Sequence, residues 1–67
     1  MNINDAMCIC FKNKLIVYPI IEKPGWKVEV NDQKNKKITI YKKIIKSSKD
    51  LNEAITKTYI FWAKKLI

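Results

Sequence analysis

The chain is predicted to be an α+β domain: a three- to four-stranded antiparallel meander sheet covered on one face by a single C-terminal helix. Three observations predict this. Residues 50–66 carry apolar side chains at helical spacing. Trp26-Lys27-Val28-Glu29-Val30 alternates apolar and polar residues, as a half-buried strand does. Turn-forming clusters at 22–25 and 31–36 separate the extended stretches. The 67 residues make a single domain, 1–67. A chain this short buries only about 60% of its unfolded surface, so its stability is expected to be marginal.

Taken in order, residues 1–6 are polar and expected to fray, and residues 7–46 are expected to hold the strands. Met7-Cys8-Ile9-Cys10-Phe11 reads as a first short strand, and Lys12-Asn13-Lys14 as a tight turn with Asn13 suited to positive φ. Leu15–Ile21 reads as a second strand. Pro19 removes a ladder donor and assigns that strand to a sheet edge. Glu22-Lys23-Pro24-Gly25 has Pro and Gly in the order of a type II turn. Trp26–Val30 is a strand with Trp26, Val28 and Val30 on its core face. Residues 31–36 form a polar hairpin loop. Residues 37–45 form the last strand, with Ile38 and Ile40 facing the core and Lys37, Thr39, Tyr41 and Lys43 facing out. The alternation breaks at Lys42-Lys43-Ile44-Ile45, where a bulge or strand end is expected.

Asp50-Leu51-Asn52-Glu53 matches a capping box, so the helix is placed at 50–66. Leu51, Ala54, Ile55, Thr58, Tyr59, Trp62 and Leu66 form its apolar stripe. Ile60 and Phe61 fall off that stripe. They are the candidate protein-interface residues, because exposed apolar surface tends to mark a partner.

The formal charge is +8, with fourteen lysines, no Arg and no His. Residues 1–33 carry four lysines and four acids; residues 34–67 carry ten lysines and two acids, so the second half holds all the net charge. A one-sided basic surface attracts polyanions. Without Arg, the usual bidentate reader of guanine, contacts to the nucleic-acid backbone are expected to outweigh base readout. A Lys-, Ile- and Asn-rich composition is also what an AT-rich genome produces, which accounts for the number of lysines better than for their asymmetry.

Trp26-x-Val28-x-Val30, a turn, Ile38-x-Ile40-Tyr41 and Asp50-Leu51-Asn52-Glu53-Ala54-Ile55 together resemble the AP2-type DNA-binding domain. The arm-binding domains of tyrosine integrases, found on phages and mobile elements, are similar. The resemblance covers roughly residues 25–66. It implies a three-stranded sheet packed on one helix, with the uncovered sheet face laid in the major groove of double-stranded DNA. Carried over residue by residue, Lys27, Glu29, Lys37, Thr39, Tyr41 and Lys43 match the reading face. The Arg residues typical of that face and the family's Ala-rich helix are missing here.

The expected function is therefore a small basic module binding double-stranded DNA through its uncovered sheet face. Lys27, Lys34, Lys36, Lys37, Thr39, Tyr41 and Lys43 are the nucleic-acid-binding candidates. The alternative is a protein-binding inhibitor of a host-defence nucleoprotein complex. Small phage proteins of that kind, anti-CRISPR proteins among them, are often single α+β domains of this size. An exposed edge strand and the Ile60/Phe61 patch also permit a homodimer.

No catalytic residues are assigned, because there is no His and the six carboxylates are scattered. No metal and no cofactor is expected: Cys8-x-Cys10 offers at most two of about four zinc ligands. The thiols read as two small buried hydrophobes on one strand face. Free thiols without an export signal lead to the expectation of a cytoplasmic protein, and no apolar run reaches the ~20 residues of a membrane span.

Overall fold

The computed structural model describes residues 1–67. The chain runs α1 (Ile3–Lys12), β1 (Leu15–Glu22), β2 (Gly25–Asp32), β3 (Lys37–Ile40) and α2 (Ser48–Leu66). The strands form one antiparallel sheet in the order β1-β2-β3. Both helices lie on the same face of it and share one core with β1 and β2. The α+β class, the three-stranded meander and the C-terminal helix are as the sequence predicts. No helix is long and apolar enough to cross a membrane.

The N-terminal helix α1 was not expected. Residues 1–6 are not a frayed tail, and Met7–Phe11 is not a strand. Five consecutive apolar residues fit a buried strand or a buried helix equally well, so the run by itself does not decide. Two signals do. The Asn2 side chain accepts a hydrogen bond from the Asp5 amide at 2.8 Å and caps the helix. Ile3, Ala6, Met7 and Cys10 recur at i, i+3, i+4 and i+7, and all four lie in or against the core. A helix also separates the two thiols. Cys10 is buried, with its Sγ donating to the Tyr59 carbonyl oxygen at 3.6 Å, and Cys8 is exposed. The 12–14 turn ends a helix instead of joining strands. Asn13 is its C-cap, with Nδ2 donating to the Ile9 oxygen at 2.9 Å, and Lys14 takes the positive φ of 58°.

β1 is an edge strand, as Pro19 requires, and pairs with β2 from Leu15↔Asp32 to Glu22↔Gly25. The connecting turn is Lys23-Pro24, with a cis peptide between them, and Gly25 already lies in β2. No glycine has positive φ, so the expected type II turn is absent. Gly25 serves a different purpose. A Cβ there would lie 2.9 Å from the Ile45 carbonyl carbon and closer still to its oxygen. The chain comes this close because Trp26 and Ile45 exchange two backbone hydrogen bonds of 2.8 Å each. Residues 41–44 form the break between β3 and that bridge, where the alternation fails in the sequence.

The face of β3 is the inverse of the expected one. Directly opposed residues of an antiparallel pair point to the same side. Thr39 lies opposite Val30, while Ile38 lies opposite Asn31 and Ile40 opposite Glu29. Val30 is buried under the helices, so Lys37 and Thr39 share the helix side; Ile38 and Ile40 look away from it, 59% and 47% exposed. Tyr41 also faces the helix side, where its hydroxyl meets Trp62 of α2. The physical reason is the position of α2, which lies over β1 and β2 and leaves β3 beyond its edge. The helix therefore puts little burial pressure on β3 to turn its isoleucines inward.

α2 begins at Ser48, two residues earlier than expected. Ser47 is the N-cap, its hydroxyl accepting from the Asp50 amide at 3.0 Å, so Asp50 is in the first turn and is not the cap. The predicted stripe is right but too narrow. Ile60 packs against the core and Ala63 is fully buried. Ile60 falls off a stripe drawn for one helix on a sheet because a second helix, α1, covers that side.

Candidate nucleic-acid interface

The candidate site residues do not share one surface. Lys27 lies on the open face of the sheet, in the middle of β2, with its Nζ 3.9 Å from Glu22. Glu29 shares that face, together with Ile16, Tyr18, Ile20, Ile38 and Ile40. The open face is thus mainly apolar, with one lysine against two glutamates. The alternation of β2 suggested a basic face; the register of β3 makes it apolar.

Lys34 and Lys36 sit in the four-residue loop between β2 and β3, and Lys36 has φ 54°. The loop is held by Asp32, whose carboxylate accepts from the Asn35 side chain at 2.8 Å and the Asn35 amide at 3.2 Å. The Asn35 side-chain bond leads the effects that hold the Asp32 carboxyl below its ordinary range. Lys37 opens β3 beside this loop.

Thr39 is on the helix side of the sheet, and Tyr41 and Lys43 border α2. The Tyr41 hydroxyl accepts from Trp62 Nε1 at 3.2 Å. Lys43, Lys46 and Lys57 line an open groove of about 590 Å³ between the 43–46 segment and α2, and Asp50 and Glu53 also border it. A second hollow, lined by Tyr41, Lys57, Thr58 and Phe61, adjoins it at Lys57. Phe61 is 50% exposed and packs edge-to-face on Trp62 at 6.0 Å. Lys65 Nζ lies 4.6 Å from the Phe61 ring centre and 5.2 Å from that of Trp62, within cation–π range. Of the two interface candidates, Phe61 is at the surface and Ile60 is half-buried against the core.

Sequence reasoning singled out neither Lys46 and Lys57 nor Lys64 and Lys65. The signal for two of the α2 lysines was available: Lys57 and Lys64 fall at i and i+7 on the side opposite the apolar stripe, with Phe61 at its edge. All ten lysines of residues 34–67 are exposed, and none forms an ion pair. They lie on the hairpin loop, β3, the 41–49 segment and the outer side of α2. The hairpin loop also adjoins Lys14, whose carbonyl oxygen accepts from the Gln33 amide at 3.0 Å, so lysines of the two halves are neighbours there.

No group of three or more His, Cys, Asp or Glu side chains is placed to hold a metal ion. Comparison with protein-family models, curated proteins and solved structures finds no match to this chain.

Proposed function

We propose that this chain is a nucleic-acid-binding module that holds duplex DNA by its phosphates, through the exposed lysines of β3, its flanking loops and the outer face of α2. One observation carries the reading: ten exposed lysines without an ion-pair partner on a domain of 67 residues. Unpaired surface cations raise self-repulsion without a gain in stability, and a polyanion supplies the missing partner. With no Arg, the lysines act as point charges and discriminate weakly between sequences. This interface differs from the one the AP2-type and integrase-arm resemblance implies, since the open sheet face lacks the positive charge for that role.

The test is a salt titration of binding to a short duplex of arbitrary sequence. Each neutralised phosphate adds about 0.9 to the slope of log affinity against log salt. A slope of several units, little changed between sequences, is expected. No retardation of any duplex at low salt overturns the reading.

A second reading, an inhibitor seated on a host-defence nucleoprotein complex, is favoured by exposed Phe61 beside Trp62 and Lys65. Aromatic anchors dominate protein interfaces. Binding to such a complex that survives high salt and is lost in Phe61→Ser separates it from the first.

A further inference from the structure

The open face of the sheet belongs to neither reading. Ile16, Tyr18 and Ile20 of β1 and Ile38 and Ile40 of β3 flank a polar row on β2, made of Lys27, Glu29 and Asn31. Neither helix covers them. The domain is a slab, 34 × 26 × 13 Å between its Cα extremes. It exposes 4893 Å², against about 4,400 Å² for a compact monomer of its mass. Its broad face has a footprint on the order of the ~800 Å² per partner of a standard interface.

We infer that this face is covered by a second copy of the chain, packed sheet on sheet about a two-fold axis that lies perpendicular to the strands at the level of Val28. The polar row selects both the occupant and the axis. Lys27 and Glu29 lie on one face of one strand, two residues apart. Rotation about that axis places Lys27 of each copy over Glu29 of the other. Rotation about an axis along the strands would stack Lys27 on Lys27 and Glu29 on Glu29, which like-charge repulsion disfavours. Tyr18 of each copy then meets Ile20 of the other, and Ile40 meets the partner's 42–44 segment, at the ~10 Å separation of stacked sheets. Lys27 exchanges little, because its only partner within the chain is Glu22 at 3.9 Å. Buried ion pairs contribute more to register than to affinity, and here they fix the orientation.

This arrangement lays β3 over β3, so Lys37 and the hairpin-loop lysines Lys34 and Lys36 of both copies lie along one edge of the dimer.

Sedimentation equilibrium of the full chain, from low micromolar to near millimolar concentration, tests the inference without nucleic acid. A dimer is expected. The Ile38→Thr/Ile40→Thr variant, with unchanged far-ultraviolet circular dichroism, should raise the dimer dissociation constant at least about tenfold. Lys27→Glu and Glu29→Lys should each weaken it by a similar factor, and the double charge swap should restore it. A chain that stays monomeric throughout overturns the inference. So does a dimer indifferent to Ile38 and Ile40, or a double swap that fails to restore association. A monomer whose duplex binding falls in Ile38→Thr/Ile40→Thr also overturns it, and assigns the face to nucleic acid.

Discussion

The hydroxyl of Tyr59 donates to the Val17 carbonyl oxygen at 3.0 Å and accepts from the Val17 amide at 3.1 Å. Val17 is on an edge strand, and these two backbone groups have no partner strand on that side. One side chain of α2 thus satisfies both and pins the helix to the sheet. The ring itself is 5% exposed and meets Phe11 of α1 edge-to-face at 5.9 Å. Tyr59→Phe keeps the ring and leaves both Val17 groups buried without a partner. The expected loss is about 1–3 kcal/mol. For a domain of this size that lowers the melting temperature by roughly 4–8 °C per kcal/mol. Thermal unfolding beside wild type measures it.

Gly25→Ala should be costly for a steric reason alone. The added Cβ meets the backbone carbonyl of Ile45, which is held by the two hydrogen bonds to Trp26. A backbone group cannot rotate away as a side chain can, so the bridge must open or shift. A loss of about 1–3 kcal/mol is expected in urea unfolding. A variant as stable as wild type would show that the 45–46 segment is not held against β2.

The two thiols should differ in reactivity. Cys8 is exposed, and Cys10 is buried beneath Tyr59. A thiol reagent should modify one equivalent in the folded protein and two after denaturation. Two equivalents at a single fast rate in native buffer would contradict the helical assignment of residues 3–12.

Cys10 also sets an alkaline limit on stability. Burial pushes its thiol above the ordinary value, because the thiolate is poorly solvated there. The folded state therefore favours the protonated form. That contribution is complete below the unfolded thiol value and is lost as pH rises through the higher folded value. Wild type should lose stability between about pH 8 and about pH 10 relative to Cys10→Ala, whose profile lacks this term. Parallel urea titrations at both pH values check the difference.

The lysines should divide by position rather than by number. Neutralising Lys42, Lys43 and Lys46 to Ala should reduce duplex affinity and lower the salt slope by up to about 3. The triple change Lys12, Lys14 and Lys23 to Ala removes the same charge from the end of α1 and the two ends of β1 and should lower the slope less. Equal effects would mean that net charge alone governs binding. Fold stability should move little in either case, since none of the six is in an ion pair.

The sequence by itself determined the hairpin of β1 and β2, the edge position of the Pro19 strand, the break near Lys42, the extent of α2 to within two residues, and the charge imbalance of the two halves. These rest on local physics: period-2 alternation, a missing proline donor, turn chemistry and helical spacing. Only the tertiary structure decided three things. Residues 3–12 became a helix because an apolar run of five is neutral between helix and strand until something covers it; the shared buried face of Ala6, Cys10, Tyr59 and Ala63 does so. Ile60 came to lie half-buried against the core because a wheel drawn for one helix has no place for a second. Alternation shows that Ile38 and Ile40 share a face but not which face; pairing with Asn31 and Glu29, with α2 displaced over β1 and β2, turned them outward. That last decision made the open face of the sheet mainly apolar.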